Sequence, residues 1–223
     1  MENFPSLVID PALATLWPNT ALGLMGLEAR VFADTSSIWE EFERKTGPQL
    51  RKDLSTIPLA QMPGIGEARS AFKTFGTDPG RYRVSSEALY RRLRQGKDIY
   101  RINSLVDTNN VLSLQCGHSC GIYDAAAIAG NVVLRLGLEG ETYQGLGKGS
   151  LPLQNMPLLS DDAGPFGSPV SDSNRTMVTQ DTRRALLVVY AFCGKDSLAP
   201  LLEKAGSLFA SLAGTRVLFT TVL

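Results

Sequence analysis

Residues 106–135 read VDTNNVLSLQCGHSCGIYDAAAIAGNVVLR, and the pattern of this stretch indicates how the chain folds. Apolar side chains at helical spacing predict a helix over Asn103–Leu114. We expect Gly117 to end that helix, because glycine tolerates the left-handed conformation found at helix C-termini. From Asn131 onward the apolar runs become short and β-like. The stretch therefore marks the change from a helix-rich half of the chain to a strand-rich half.

Before this stretch, helical patterns predominate. Short strands are predicted at Ser6–Asp10 and Leu22–Val31, and a helical turn opens at Asp10-Pro11, since proline suits the first helical position. Longer helices are predicted over Ser36–Leu54, over Gly66–Thr74, and in SSEALYRRLRQGK. In the last of these, Ser85 or Ser86 is expected to cap the helix and Gly96 to end it.

After this stretch, β-like runs separated by Gly, Pro, Asp and Ser predominate. They are NVVLRLGL, TYQGL, MPLLS, RTMVT, ALLVVYAF and the closing RVLFTTV, with one further helix at Ser197–Leu212. Residues 145–155 and 161–174 are predicted to be the long loops. Segregated helices and strands predict an α+β fold. No linker divides the chain, so one domain over residues 1–223 is expected.

Composition excludes several classes of function. The 223 residues are 43 % hydrophobic and 20 % charged, and the formal net charge is zero. No global field therefore draws the protein to DNA or to an anionic membrane. The N-terminus lacks the basic and apolar regions of a signal peptide. Three cysteines form no disulfide framework, so a cytoplasmic location with reduced thiols is expected.

The motif Cys116-x-His118-x-Cys120 resembles one arm of a metal site or a thiol centre. A structural zinc site needs about four ligands, and only Cys193 remains elsewhere in the chain. Neighbours two apart rarely face each other within one helix or strand, which argues against a Cys–His catalytic pair. We expect no metal and no cofactor, and interpret Cys116 and Cys120 as small apolar residues near a helix end.

The segment 81–101 is the one local concentration of positive charge in this neutral chain. Tyr82, Tyr90 and Tyr100 are interleaved with its cations, and arginine with tyrosine suits phosphates and unstacked bases. The alternative is a solvated helix face whose charges pair with acids elsewhere. The candidate RNA-binding residues are Arg81, Arg83, Arg91, Arg92, Arg94, Lys97 and Arg101.

Four segments together resemble a known family. They are RYRVSSEALYRRL (81–93), VDTNNVLSLQCG (106–117), GIYDAAAIAGNVVLR (121–135) and EGETY (139–143). This pattern is similar to the B3/B4 module of the phenylalanyl-tRNA synthetase beta subunit, and most of all to freestanding B3/B4-domain proteins. It covers most of residues 80–195, with 1–79 as an N-terminal helical and strand part and 196–223 as a C-terminal helix and strand.

The resemblance implies an α+β domain with layered mixed or antiparallel β-sheets and flanking helices. In the synthetase this module hydrolyses tyrosine wrongly attached to phenylalanine tRNA. A freestanding copy is expected to hydrolyse a misacylated aminoacyl-tRNA in trans, with tRNA as partner and without ligase activity. The alternatives are a non-catalytic tRNA-binding module and a pocket protein for an amino-acid-like small molecule.

The resemblance also implies where the site lies. The threonine-asparagine pair of the synthetase falls on Asn109 and Asn110, and a histidine of many synthetases falls on Gly121. A glutamate that reads the tyrosine hydroxyl falls near Val188, where an apolar residue removes the acceptor for a phenol.

Physical reasoning adds further candidates for an ester-hydrolysing site. Amides of Asn109 and Asn110 could position substrate, although a polar helix face or cap would also explain them. His118 could orient water, and backbone amides around Gly117–Gly121 could bind an anion. In the loop 171–182, Arg175 could bind a phosphate or carboxylate, and Asp172, Asn174 and Thr176 could read an amino group or ribose. We expect Asn109, Asn110, Gly121 and Arg175 to line one cleft.

Overall fold

The structure is a computed structural model that describes residues 4–147 and 149–223. The helices are α1 (Pro11–Leu16), α2 (Ser36–Lys45), α3 (Gly47–Thr56), α4 (Ile65–Phe75), α5 (Ser85–Arg94), α6 (Ser104–Cys116) and α7 (Leu198–Ala213). The strands are β1 (Leu7–Ile9), β2 (Ala21–Glu28), β3 (Ser119–Asp124), β4 (Val132–Leu136), β5 (Thr142–Gly145), β6 (Gly149–Pro152), β7 (Pro157–Asp161), β8 (Gly164–Gly167), β9 (Arg184–Ala191) and β10 (Arg216–Val222). The predicted α+β class is confirmed.

Two larger sheets and a hairpin contain these strands. One sheet has the order β1-β4-β7-β8, with β1 and β4 parallel and the other pairs antiparallel. The other sheet, β10-β2-β9-β3, is antiparallel throughout. β5 and β6 form a hairpin, so β6 lies within residues 145–155, which the sequence predicted to be a long loop; Lys148 lies outside the described part of the chain. β8 likewise lies within the predicted loop 161–174.

The second sheet is covered on both faces, and this explains the unbroken apolar run of β9. Leu187 and Val189 share a hydrophobic cluster with Leu202 and Phe209 of α7. Alternate residues of the same strand, such as Val188, share another cluster with the first sheet and with α2–α5. Because successive side chains of a strand point to opposite faces, both sets are buried.

Several predicted boundaries are corrected by the structure. The single helix predicted over Ser36–Leu54 is two helices, because Pro48 lacks a backbone N–H and sits in the first turn of α3 after a break at Thr46. The cap of α5 is Val84, and Ser86 instead places its hydroxyl 3.4 Å from that of Ser119. The strand predicted at RTMVT (175–179) does not form: a 3-10 helix covers Asn174–Thr176, and residues 177–179 have no regular secondary structure.

Other expectations are confirmed. The helical turn expected at Asp10-Pro11 forms, and Asp10 caps α1 through a 2.7 Å bond from the Ala12 backbone amide. The helix predicted from Asn103 begins at Ser104, with Asn103 as its cap. Gly117 ends α6 in the left-handed conformation, with φ 78°. The strand β3 was not predicted, since only the pairing with β9 makes this short, glycine-containing run regular. Within the described ranges no helix has both the length and the apolar character that crossing a bilayer requires.

Candidate functional site

A cleft of about 740 Å³ lies among α5, α6, β3, the β5–β6 turn and the loop 168–172. Its walls are mainly apolar, and they come from segments far apart in the chain. The principal apolar residues are Leu89, Ile102, Val106, Ile122, Leu146 and Met177. Asn109, Asn110 and Asp172 are among its polar lining residues. An apolar cleft with a few convergent polar groups is the usual form of a small-ligand site.

A second groove, of about 780 Å³, lies beside α1 and β4, but its charged residues are already engaged. Asp10 caps α1, and Arg135 forms two hydrogen bonds, of 2.7 and 2.8 Å, with the carboxylate of Glu141. The hydrogen bonds from Arg135 lower the pKa of Glu141. Both side chains are therefore engaged in structural contacts and are not free to bind a ligand. The first cleft is therefore the better candidate.

Asn109 and Asn110 lie side by side on α6 but differ in environment. Asn109 is 7 % exposed, and its Nδ2 donates a 2.9 Å bond to the carbonyl oxygen of Cys120 on β3. Within the described residues its Oδ1 is buried and has no hydrogen-bond partner. Asn110 is half-buried at the cleft wall. Asn109 thus joins the helix to the strand, while Asn110 presents its amide at the wall.

Asp172 is held in place from the interior of the domain. Its Oδ1 accepts a 2.7 Å bond from the hydroxyl of Tyr123 and a 3.3 Å bond from the backbone amide of Ser168. Since Tyr123 gives its one proton to this carboxylate, Tyr190 donates to Tyr123 across 2.7 Å. Burial raises the pKa of both phenols well above its usual value, and the charge of Asp172 raises it further. A neutral tyrosine chain therefore orients a carboxylate at the cleft.

His118 lies outside the cleft, which corrects its expected position beside the asparagines. It is 9 % exposed, and burial lowers its pKa below 6.5. Its Nδ1 is 3.0 Å from the place a side chain on Gly64 would occupy, and its carbonyl oxygen accepts a 2.6 Å bond from Ser113. The turn after α6 places the imidazole beside the N-terminus of α4, and His118 is not among the residues that line the cleft.

Gly121 and Gly117 also lie outside the cleft lining. A Cβ on Gly121 would be 2.1 Å from the Tyr123 hydroxyl, and one on Gly167 would be 2.3 Å from it. A Cβ on Gly117 would lie 2.1 Å from the carbonyl oxygen of Pro63. The absent side chain at Gly121 is thus explained by packing: the phenol of Tyr123 takes up the space that a side chain there would need.

Arg175 faces another part of the fold, which corrects the expectation that it shares the cleft with Asn110. Its guanidinium binds both oxygens of Asp161, at 3.0 and 2.8 Å, and the carbonyl oxygen of Gly164 at 3.0 Å. Burial alone would raise the pKa of Asp161, but the bonds from Arg175 and two backbone amides hold it below its usual value. Arg175 therefore braces β7 and β8.

The remaining candidates are distributed between surface and core. Asn174 is exposed, whereas Thr176 is fully buried beside Arg175. Val188 is fully buried on β9, paired with Leu24 on one side and Gly121 on the other. None of the three lines the described cleft.

The cationic segment divides into paired and exposed residues. Glu87 is fully buried, and its carboxylate is bound by Arg69 and by Arg91, each at 3.0 Å. Arg92 donates through Nε to the carbonyl oxygen of Asp98 and stacks on Tyr100, with Cζ 3.9 Å from the ring centroid. The exposed members are Arg81, Arg83, Arg94, Lys97 and Arg101.

The two cysteines of the motif face a common backbone oxygen. The sulfurs of Cys116 and Cys120 lie 3.9 and 3.6 Å from the carbonyl oxygen of His118. A hydrogen bond from Cys120 lowers the pKa of Cys116, while burial raises that of Cys120. In residues 4–147 and 149–223 no group of three or more His, Cys, Asp or Glu is placed to hold a metal ion.

Comparison with known proteins identifies the family. The sequence model of the B3/4 domain matches residues 67–198, which is more than half of the chain. The chain belongs to the B3/4 domain family. The match begins in α4, earlier than the resemblance noted from residue 80. No curated protein matches the sequence.

The B3/4 assignment agrees with the architecture. The fold is similar to the crystal structure of an N-terminal fragment of the phenylalanyl-tRNA synthetase beta subunit from Pyrococcus horikoshii, with a TM-score of 0.50 and 16 % identity. The similarity covers 97 % of this chain and 53 % of that one, so the chain spans about half the length of the fragment. At this identity the likeness concerns the fold.

The cleft contains residues that sequence reasoning did not select. Leu146, Ser168 and Met177 line it although they belong to three separate loops. No local pattern marks them, because their proximity depends on how the hairpin and the 168–178 segment fold back on α6. For Tyr100 the sequence offers one indication of a role in binding, which is its position within the cationic segment 81–101.

Proposed function

We propose that this B3/4 domain protein hydrolyses the ester of a misacylated aminoacyl-tRNA, acting in trans on tRNA that a synthetase has released. The observation that carries the proposal is the cleft itself. Within a family related to a tRNA synthetase, it combines apolar walls, the amide of Asn110, the carboxylate of Asp172 and a cationic rim at Arg92. These are the features that binding of an aminoacyl group attached to a polyanion requires.

Hydrolysis of an aminoacyl ester needs few catalytic groups from the protein, because the ester is already activated. Water attacks the ester carbonyl carbon, the bond from that carbon to the ribose oxygen breaks, and the ribose hydroxyl leaves with a proton. Positioning and a hydrogen-bond donor near the developing oxyanion account for much of the rate in such reactions. In the proposal, Asn110 supplies that donor, Asp172 binds the α-ammonium group, and Asn109 holds α6 against β3.

A deacylation assay with a panel of mischarged tRNAs tests the proposal. We expect at least one aminoacyl-tRNA to lose its amino acid faster than in buffer alone. Asn110→Ala should slow this by about tenfold or more, whereas Asn174→Ala, an exposed asparagine outside the cleft, should not. If every member of the panel is stable in the presence of protein, the hydrolase proposal fails.

A second candidate is a non-catalytic module that binds tRNA or an amino-acid-like molecule. The position of His118 favours it, because the chain's one imidazole does not line the cleft and so supplies no base there. A gel shift with uncharged tRNA at several salt concentrations separates these cases. Affinity that falls steeply with salt supports phosphate contacts, and a cleft that binds free amino acids without tRNA supports the small-molecule alternative.

A further inference from the structure

Arg92 and Tyr100 lie together at the mouth of the cleft, and Arg92 restrains the exposed tyrosine ring. Tyr100 is 67 % exposed, yet its ring is restrained. Arg92 lies over the ring with Cζ 3.9 Å from the centroid, and its Nη1 donates a 3.2 Å bond to the Tyr100 hydroxyl. Arg92 is itself held by the carbonyl oxygen of Asp98. The result is a fixed aromatic surface that still faces solvent.

The surroundings of Tyr100 are also more apolar than a free surface. Ile102 is 56 % exposed, Met177 44 % and Leu146 41 %, and all three line the same cleft. Large exposed apolar side chains that converge from separate segments commonly mark a binding site. A ligand here would rest one flat part on Tyr100 and extend another part inward to Asn110 and Asp172.

Charge indicates which flat ligand fits. Arg92 places a positive charge against the ring of Tyr100. Arg94 and Lys97, which lie between these two residues in the sequence, are exposed. Aromatic side chains with nearby arginine stack unpaired nucleobases, and the cations bind the attached phosphates. The side chain of an aromatic amino acid, or an apolar peptide segment, carries no phosphate for these cations to bind.

We propose that Tyr100, backed by Arg92, stacks the terminal nucleobase of the tRNA acceptor end. This inference rests on the proposed function, since it names the subsite that holds the nucleotide while the aminoacyl group enters the cleft. All tRNA acceptor ends terminate in adenosine, so adenine is the base concerned. Tyr82 makes a matched control: Arg81 also lies over its ring, at 5.1 Å, but Tyr82 does not line the described cleft.

Binding of adenosine 5′-monophosphate tests the subsite independently of hydrolysis. In a Tyr100→Trp variant, the nucleotide should quench tryptophan fluorescence saturably, and ribose 5-phosphate should not. By NMR titration, Tyr100→Ala should weaken nucleotide binding by about tenfold, with Tyr100→Phe near wild type and Tyr82→Leu unchanged. Equal affinities of Tyr100→Ala and wild type, or no quenching by the nucleotide, would overturn the inference.

Deacylation supplies the second arm. With a hydrolysed aminoacyl-tRNA, Tyr100→Ala should raise KM and spare cleavage of the corresponding amino acid ethyl ester, which has no base. If both substrates are affected equally, the stacking role is wrong. If nothing is hydrolysed but the nucleotide binds through Tyr100, the hydrolase proposal fails and the nucleobase subsite stands.

Discussion

The hydroxyl of Tyr123 donates a 2.7 Å hydrogen bond to Oδ1 of Asp172. Tyr123 is fully buried between the two larger sheets, whereas Asp172 lines the cleft. The bond therefore connects the domain core to the candidate site. The position of the phenol also explains the glycine at residue 121 of β3, because the phenol occupies the space that a side chain on Gly121 would need.

Tyr123→Phe should lower the free energy of unfolding while leaving the ring packing intact. A hydrogen bond to a charged group contributes about 1.5–3 kcal/mol, so a loss of that size is expected in urea denaturation. Tyr190→Phe, which removes only a bond between two neutral hydroxyls, should cost less. Equal losses for the two variants would mean that the carboxylate bond has no special weight.

Gly121→Ala should destabilise the domain by about 1–3 kcal/mol through overpacking. The added methyl group would lie 2.1 Å from the Tyr123 hydroxyl, so one of the two must shift. The same substitution should cost less in a Tyr123→Leu background, because the ring that causes the clash is gone. A cost that is unchanged in that background would contradict the packing explanation of Gly121.

Arg91 and Arg94 are neighbours on α5, but we expect their substitutions to have different effects. Arg91 binds the fully buried Glu87, so Arg91→Met should reduce stability, and Arg91→Met with Arg69→Met should cost about 3–5 kcal/mol by leaving a buried carboxylate unpaired. Arg94→Ala should leave stability unchanged and weaken tRNA binding. Thermal unfolding and salt-dependent gel shifts measure the two effects.

The pH dependence of stability should report the burial of His118. Its pKa in the folded protein lies below the ordinary 6.5, chiefly through burial, so the folded state favours the neutral imidazole. As pH falls through 6.5 the unfolded chain takes up the proton first, and the contribution to stability is lost below that point. His118→Gln should flatten this part of the stability curve between pH 7 and about pH 5. An unchanged slope would show that other groups cause it.

The sequence by itself determined the elements whose signals are local. The helical spacing after Asn103 and the glycine at Gly117 define α6, and the apolar run ALLVVYAF predicts the strand β9. These properties depend on backbone preference and side-chain period within a few residues. The resemblance to the B3/4 family rests on the same contiguous stretch, and the family match confirms it.

The tertiary structure alone decided which groups meet. It pairs β2 with β9 and β10 across most of the chain, commits Arg175 to Asp161 and Arg91 to Glu87, leaves His118 out of the cleft lining, and brings Asn110, Asp172 and Tyr100 to one cleft. The sequence does not specify such partners, because the same residue type occurs at a position whether its side chain faces water, a counter-ion or a ligand. Long-range packing makes that choice, and the candidate site is a product of it.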